Sequence, residues 1–406
     1  MHVLSLTTIY PNEKVAAEGR SVAFLDRALA KLGIQGTTLV LKPWAPQWLA
    51  SRVDKWKHLA VQQQIIERDN LRTVFSHYLH VPHRFQKNLC VYSMAHQAIR
   101  LVSKHGWEFD IVHGQSIYPT AVAAWMVARH FNVPFVVTLR DDLSHLATFY
   151  DRRGARKLFE PMFASVSAIF VHGPSLLKDV PNFLPCGCHP EVVVAPNGAD
   201  VDGITAILNS LPEPPNHQWG SVVSVGSLFR FKGVHENLQA LKKLDERGID
   251  QWRYTIVGEG PYRHQLELLA AELGLLDRVS FVGKVSHCDT IRLISEADIF
   301  CLPSWAEPFG NVYAEAAVCG RPAIGCQGFG AELTIRDGKT GLLVPPRDVD
   351  ALANALARLL TNPKQAQAMG QAARDNIKQF TWERTGQLYK RVISSIIHVE
   401  QKALCR

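Results

Sequence analysis

The stretch SVVSVGSLFRFKG, residues 221–233, decides the fold class of this chain. Its first five residues are small and mostly β-branched, a pattern typical of a buried strand. Gly226 then marks a turn, and a helical spacing of apolar residues over 234–247 begins directly after Gly233. A strand, a glycine turn and a helix in this order predict one unit of a parallel α/β sheet.

The same succession recurs along both halves of the chain. In the first half we predict strands at 3–6, 38–41, 110–113, 134–139, 168–172 and 191–195. In the second half we predict strands at 221–226, 253–257, 279–282, 298–302, 323–325 and 341–344. Helical patterns lie between most of these runs. The alternation predicts an α/β protein with two Rossmann-like domains that face a central cleft.

The 406 residues suffice for two such domains. We place the N-terminal domain at 1–205 and the C-terminal domain at 206–380, with the proline-rich run 211–215 near the boundary. Residues 42–90 break the alternation with three Trp and several basic residues, and we interpret them as an insertion at the mouth of the first domain. Because ligands of open α/β sheets bind at the carboxyl ends of strands, we expect the functional loops there.

The formal net charge of +7 lies entirely in the first quarter of the chain. Residues 1–100 contain 13 Lys and Arg against 6 Asp and Glu, and the remaining residues balance. Such a surface suits anionic lipid, a phosphorylated acceptor or nucleic acid, but a solvated basic face explains it equally well. Peripheral contact with an anionic membrane through residues 1–100 therefore stands beside the solvated face as an open alternative, and we expect no nucleic-acid partner.

Cysteine usage and the N-terminus indicate the compartment. Eight cysteines are scattered without a disulfide framework, which favours a reducing, cytoplasmic environment. The N-terminal residues lack the basic start and long apolar core of a signal peptide, and no apolar run approaches the ~18–20 residues that span a bilayer. We expect a cytoplasmic protein, with any membrane contact peripheral and on the inner face.

The strongest chemical motif is SWAEPFGNVYAE, residues 304–315. It predicts a strand end, a loop that presents Glu307, and a helix that begins near Gly310. The backbone N–H groups of Phe309, Gly310 and Asn311 would be free at the helix start, where phosphate binds well. Glu315, in the second turn, could face the same ligand, and carboxylates accept hydrogen bonds from sugar hydroxyls.

Two further loops follow strands of the second half. Gly226 precedes a turn with two cations, Arg230 and Lys232, which could neutralise a leaving diphosphate. Gly258 and Gly260 flank a glutamate in another strand-to-glycine turn. Each loop alone is compatible with a solvated surface turn. Together in one domain they predict a nucleotide-sugar site.

These segments together resemble glycosyltransferase family 4, retaining enzymes of the GT-B architecture. The spacing of Glu307 and Glu315 is similar to the E-x7-E motif of that family, and residues 328–332 and 337–345 resemble further family segments. The resemblance implies that Glu307 contacts the donor sugar and Glu315 the ribose. It implies that Lys232, with Arg230, clamps the diphosphate.

The resemblance has further implications for the site and the fold. The loop from Val282 to Lys284 would pass near the base. No divalent metal or other cofactor would be needed, since cationic side chains and a helix end replace it. The sugar would pass from a UDP- or GDP-sugar to a saccharide or lipid-linked saccharide acceptor, in surface polysaccharide or glycolipid biosynthesis. The C-terminal helix around 382–397, within residues 381–406, would cross back to pack on the first domain.

The sequence departs from the family pattern at several positions. Ser227 stands where Arg is frequent, and Arg230 could supply the lost charge. In the first domain His113 is followed by Gln115 where a second His is frequent, and Arg140 stands where many relatives have His. We favour Arg140 and His113 as the catalytic groups of this domain and Gln115 on the acceptor side.

The loop Glu18-Gly19-Arg20-Ser21 precedes the first helix. In the family it approaches the donor phosphate and the acceptor, which makes Gly19 a candidate for the donor and Arg20 for the acceptor. A simple helix cap with Ser21 near the N-cap explains the same residues equally well.

Several patterns suggest a metal site and are rejected. Asp200-Val201-Asp202 and Asp348-Val349-Asp350 match the Asp-x-Asp pattern of metal-dependent transferases, but Asp348 begins a helix as a cap. Cys186-Gly187-Cys188-His189 lacks a second half, and Pro82 breaks the helical face of His77, His80 and His83.

Two other functions remain as alternatives. A nucleotide-sugar 2-epimerase shares the two-domain architecture, and a non-catalytic saccharide-binding relative would explain Ser227 and Gln115. A dehydrogenase is the least favoured function, because no G-x-G-x-x-G turn follows the first strand.

Overall fold

The computed structural model describes residues 1–11, 19–44, 63–79, 89–140, 156–212 and 218–404. These residues form two compact units. The first contains Met1–His172, Leu176–Ala195 and Trp382–Arg406, and the second contains Gly173–Ser175 and Pro196–Thr381. Within the described part of the chain, no helix combines the length and apolar character needed to cross a membrane.

The first unit has an eight-stranded sheet in the order β3-β4-β2-β1-β5-β6-β7-β8. All neighbouring strands are parallel except β3 and β4, which form an antiparallel pair. The strands are β1 His2–Thr7, β2 Gln35–Pro43, β3 Gln64–Arg68, β4 Leu71–Tyr78, β5 Ile111–Gln115, β6 Phe135–Leu139, β7 Ala168–Val171 and β8 Glu191–Val194.

Helices cover this sheet because each presents an apolar face. In the first helix, for example, Val22, Leu25 and Leu29 recur at helical spacing and are buried. The helices are α1 Arg20–Lys31, α2 Leu89–His105, α3 Val122–Phe131, α4 Arg156–Ser165 and α5 Pro174–Asp179, with a π-helical segment Ile117–Ala121 and a 3-10 turn Val180–Phe183.

The second unit has a six-stranded parallel sheet in the order β11-β10-β9-β12-β13-β14. This 3-2-1-4-5-6 order is that of a Rossmann fold, with its switch point between β9 and β12. The strands are β9 Ser221–Val225, β10 Arg253–Val257, β11 Val279–Gly283, β12 Ile299–Cys301, β13 Ala323–Cys326 and β14 Gly341–Val344. The helices are α6 Val201–Ser210, α7 Val234–Glu246, α8 Arg263–Glu272, α9 His287–Glu296, α10 Asn311–Val318, α11 Ala331–Thr334, α12 Val349–Leu360 and α13 Pro363–Ile377.

The last helix, α14 Trp382–Leu404, belongs to the first unit, as the sequence predicted. Tyr389, Val392 and Ile393 are buried in a core that they share with β1, α1, β5, β6 and β7. The ring of Tyr389 stacks on Phe170 with a centroid distance of 3.9 Å. The chain therefore returns from the second unit to complete the core of the first.

The interpretation of residues 42–90 as an insertion was wrong for the residues that the structure describes there. Strand β4 pairs with β2 in a parallel register from Gly36–Leu71 to Pro43–Tyr78, and β3 pairs with β4. The basic and aromatic residues made the apolar pattern of β4 hard to recognise, although Val74 and Phe75 of this strand are buried. His80, Pro82 and His83 lie outside the described residues, as do Asp141, Asp142 and 213–217.

Apart from Gly173–Ser175, the second unit begins at Pro196, so helix α6 lies in the second unit. Ile204 of this helix packs in the same core cluster as Val223 and Val225 of β9.

Candidate active site

The loops after β9 and β10 lie against one another in the second unit. The N–H of Gly226 donates to the carbonyl of Val257 at 3.0 Å, and the N–H of Leu228 donates to that of Glu259 at 2.9 Å. A Cβ atom on Gly258 would lie 1.9 Å from the oxygen of Gly226, and one on Gly260 would lie 2.4 Å from the oxygen of Leu228. Only glycine fits at these two positions.

Lys232 and Glu307 form an ion pair between the loops that follow β9 and β12. Their side chains are 15% and 18% exposed, so the pair is partly desolvated but open to a ligand. Lys232 ends a 3-10 turn that begins at Arg230, and Gly233 closes it with φ +76°. Arg230 is exposed two residues before Lys232 and is not part of this pair. The structure thus brings together the predicted cation and carboxylate from positions 75 residues apart.

Helix α10 begins at the predicted place. Gly310 is its N-cap with φ +75°, and the side chain of the exposed Asn311 accepts a hydrogen bond from Asn197 at 3.0 Å. Phe309 is buried, and a Cβ on Gly330 would lie 2.4 Å from its Cα atom. The start of the helix is therefore held by the loop after β13 as well as by its own glycine.

Glu315 lies in the second turn of α10 and is 19% exposed on its side chain. Its carboxylate is 3.9 Å from Nδ1 of His287, the first residue of α9. No motif in the sequence singled out His287. Its position directly after the Ser286 cap and close to the predicted base loop is the signal that could have identified it.

Of the predicted base loop, Val282 and Gly283 are the last residues of β11 and Lys284 follows the strand. Val282 and Lys284 are exposed, and Gly283 between them has φ +81°. The N–H of Gly258 donates to the carbonyl of Gly283 at 2.8 Å, which connects this loop to that after β10. Beside it, Arg263 pairs with Glu259, and a Cβ on Gly283 would lie 2.9 Å from the carboxylate of Glu259.

In the first unit, Arg140 follows β6, and its guanidinium contacts acceptors on three of the described residues. Its Nε and Nη2 atoms donate to Oε1 of Gln115, with the Nε contact at 3.0 Å. Its Nη1 atom is 3.1 Å from Oγ of Ser21 and 3.1 Å from Nε2 of His172. Gln115 ends β5 and His172 follows β7, and these strands flank β6, so their carboxyl ends are adjacent.

Gln115 also connects Arg140 to His113. Because the amide oxygen of Gln115 accepts from Arg140, its nitrogen is the donor toward Nδ1 of His113 at 3.1 Å. The Nε2 atom of His113 is then protonated and donates to Thr138 at 2.7 Å, and Thr138 contacts the hydroxyl of Tyr389 at 2.8 Å. Both ring nitrogens of His113 are used by protein partners, and its side chain has no exposed surface. A direct contact with a sugar would require these bonds to break.

Burial keeps both histidines of this network neutral. The cost of desolvating an imidazolium, together with the smaller effect of the positive charge of Arg140, lowers the pKa of His113 to about 3. The same two causes lower the pKa of His172 to about 3, although a hydrogen bond to the carbonyl of Ala195 acts to raise it. Neither histidine is a general base near neutral pH in this arrangement.

The loop before α1 is held by a close backbone approach. Gly19 is the N-cap with φ +70°, and a Cβ there would lie 2.5 Å from the carbonyl carbon of Ile9. The guanidinium of Arg20 lies 5.4 Å from the ring centroid of Phe24. Gly19 occupies the N-cap, and Ser21 lies two residues after it with its hydroxyl accepting from Arg140. Glu18 lies outside the described residues.

The Asp-x-Asp matches have structural roles. Asp200 caps α6 by accepting from the N–H of Gly203 at 3.2 Å, and Asp348 caps α12 by accepting from Ala351 at 2.9 Å. Among the residues that the structure describes, no group of three His, Cys, Asp or Glu side chains is arranged to hold a metal ion.

Comparisons with known proteins cover both halves of the chain. A family model described as Glycosyltransferase Family 4 matches residues 19–202, and one described as Glycosyl transferases group 1 matches 213–376. The D-inositol 3-phosphate glycosyltransferase of Corynebacterium jeikeium is 30% identical over 299 residues, which are 69% of this chain and 71% of that protein. The chain belongs to glycosyltransferase family 4.

Solved structures agree with this assignment at the level of the fold. Sucrose-phosphate synthase of Thermosynechococcus elongatus superposes with a TM-score of 0.71 at 22% identity, over 97% of this chain and 99% of that one. HepE of Anabaena, solved in complex with UDP, has a TM-score of 0.68 at 18% identity, over 97% of this chain and 100% of that one. This member of glycosyltransferase family 4 has the GT-B fold, and the comparisons give no support to the 2-epimerase alternative.

Proposed function

We propose that this glycosyltransferase moves a hexose from a UDP- or GDP-sugar to a saccharide or lipid-linked saccharide acceptor, with retention of anomeric configuration and without a metal. The observation that supports it most is the Lys232–Glu307 ion pair at the carboxyl ends of β9 and β12, on either side of the switch point. HepE, which has the same fold, binds UDP, and this supports a UDP-sugar as one of the two candidate donors.

Each predicted group has a role in the donor complex. Lys232, helped by the exposed Arg230, would neutralise the diphosphate that leaves, and the N-terminus of α10 would add backbone donors from Gly310 and Asn311. Glu307 would accept hydrogen bonds from the transferred sugar, and Glu315 from the ribose. The glycine loops at Gly226, Gly258 and Gly260 would let the nucleotide approach the backbone.

In the transfer step, the bond between the anomeric carbon and the diphosphate oxygen breaks, and a bond to the acceptor oxygen forms on the same face. The acceptor proton passes to an oxygen of the leaving diphosphate. This route needs no carboxylate nucleophile, unlike the paired carboxylates of retaining glycosidases. Arg140 would stabilise charge at the reacting groups from the first unit, with Gln115 and His113 as its support.

The acceptor and the cellular location extend this proposal. The basic residues of 1–100 suit an acceptor held at an anionic membrane, such as an intermediate of surface polysaccharide or glycolipid biosynthesis on the cytoplasmic side. Gly19 and Arg20 are the candidates for contact near the donor phosphate and the acceptor.

A donor screen tests the proposal. The protein is incubated with UDP-, GDP- and ADP-sugars with and without EDTA, and nucleotide release is measured for the wild type, Glu307→Gln, Lys232→Met and Lys243→Met. We expect release from one donor, unchanged by EDTA and reduced on the order of 10²-fold or more in the first two variants. Lys243 pairs with Asp350 on an exposed surface and serves as the control.

The alternatives predict different results from this screen. No release or binding with any donor would favour a non-catalytic saccharide-binding relative. Loss of activity with EDTA would contradict the metal-independent mechanism. Equal losses in Lys232→Met and Lys243→Met would indicate a general effect of charge rather than a diphosphate site.

A further inference from the structure

His172 lies directly after β7 and is almost fully buried, with 4% of its surface exposed. Its Nδ1 atom is 2.9 Å from the carbonyl oxygen of Ala195. A carbonyl oxygen can only accept, so the proton of the neutral imidazole must be on Nδ1. The Nε2 atom therefore carries a lone pair.

That lone pair faces a group that can only donate. Nη1 of Arg140 is 3.1 Å from Nε2 of His172, and a guanidinium has no acceptor. The second proton of the same Nη1 is directed to Ser21, while Gln115 accepts from the other side of the guanidinium. The plane of Arg140 is thus fixed by acceptors from α1, β5 and the end of β7.

We propose that His172 is a positioning residue that holds the Arg140 guanidinium in the geometry needed for transfer. This inference rests on the proposed function of the site, since it assigns to His172 the support of a proposed catalytic group. No sequence pattern indicated it, because His172 appeared only as the last residue of a predicted strand.

His172 differs from an ordinary core residue because its contact with Arg140 requires Nε2 to stay unprotonated. An imidazolium at this position would place a proton against the guanidinium and break the hydrogen bond. Burial and the neighbouring positive charge both oppose that protonation. The acceptor on Nε2 is consequently maintained through the pH range in which the enzyme would work.

Kinetics of His172→Ala and His172→Gln test the inference, with His130→Ala as the control on an exposed histidine of the same unit. Gln keeps an acceptor oxygen near the position of Nε2, whereas Ala removes it. We expect kcat to fall about tenfold or more in His172→Ala, with the KM for the donor within about twofold, and to recover largely in His172→Gln. A kcat in His172→Ala equal to that of the wild type, or an equal loss in Gln and Ala, would overturn the inference.

A second measurement does not depend on activity. Nitrogen-15 NMR of labelled imidazoles at pH 7 reports the tautomer of His172, assigned from the signal that disappears in His172→Gln. We expect the Nδ1–H tautomer in the wild type and a higher pKa for His172 in Arg140→Met. An Nε2–H tautomer or an imidazolium would reject the contact. If the wild type transfers no sugar, the proposed function fails while this spectrum still decides whether His172 holds Arg140.

Discussion

At the scale of single residues, burial determines which ionisable groups are charged. His172 is neutral in the folded protein because its pKa is lowered to about 3, whereas an exposed histidine titrates near 6.5. The pKa of Asp26 is shifted in the opposite direction. Burial raises the pKa of its carboxyl to about 6, although hydrogen bonds from Thr38 and Tyr10 act to lower it. Both groups lie in the first unit, so its stability depends on pH through them.

We expect the contribution of His172 to the free energy of unfolding of the first unit to decrease as pH falls below 6.5. The unfolded chain binds a proton at His172 there while the folded chain does not, so this stabilisation is complete above 6.5 and is lost toward pH 3. The loss is about 2 kcal/mol at pH 5. Hydrogen exchange of β7 peptides in urea, at pH 7 and pH 5, measures this loss in the wild type and in His172→Gln, which lacks the imidazole. Equal pH dependence in both proteins would contradict the pKa shift.

We expect Asp26→Asn to stabilise the first unit at neutral pH relative to the wild type. The wild-type carboxyl keeps its proton in the folded state up to about pH 6 but loses it near 3.8 when unfolded, so its stability decreases as pH rises through this window. Asn keeps an acceptor for Thr38, which donates to Asp26 at 2.7 Å. The difference should grow to about 3 kcal/mol between pH 3.8 and 6.5 in urea unfolding. A constant difference across this range would show that Asp26 does not titrate as described.

At the scale of elements, the proposed donor site depends on how closely two strand-to-helix loops approach. Gly258 has φ +134°, and its backbone lies against the carbonyl of Gly226. Gly274, just after the end of α8, also has a positive φ of +70°, but a Cβ atom there would meet no other atom within 4 Å. Alanine substitutions at the two glycines therefore distinguish the cost of a steric clash from the cost of a positive φ alone.

We expect Gly258→Ala to destabilise the second unit by about 3 kcal/mol or more, because the new Cβ would overlap a backbone oxygen that cannot move independently. Gly274→Ala should cost only about 1 kcal/mol, the strain of a left-handed residue. Thermal unfolding of the two variants measures the difference. A Gly258→Ala protein as stable as Gly274→Ala would show that the loops are not in contact.

At the scale of the whole molecule, each unit has its own core, and the chain ends in the first. Ile393 of α14 packs with β1, β5, β6 and β7, whereas Leu359 of α12 packs with β9, β10 and β13. Both side chains are fully buried, which makes them a matched pair for the stability of each unit.

We expect Ile393→Ala to destabilise the first unit by about 2–5 kcal/mol and Leu359→Ala to destabilise the second by a similar amount. Hydrogen exchange of peptides from β6 and β9 distinguishes the units. If Ile393→Ala lowered the protection of β9 as much as that of β6, the helix would not belong to the core of the first unit.

Much of the second unit follows from local sequence. The runs that end at Gly226 and Gly258 read as strands because β-branched residues and glycine turns are local signals. Lys232 and Glu307 were identified because each lies in a loop after such a strand. The segment around β4 was missed, because its polar residues hid the alternation and only pairing with β2 revealed its place.

By itself the sequence determined the α/β class, most strands of the two series, the family and the candidate residues of the proposed donor loops, since these depend on local patterns and motifs. Only the tertiary structure decided the network around Arg140. Ser21, Gln115 and His172 are 119, 25 and 32 residues from Arg140 in the chain. The order of β5, β6 and β7 brings their carboxyl ends together, and the obligatory donors of arginine then fix the tautomers of His113 and His172.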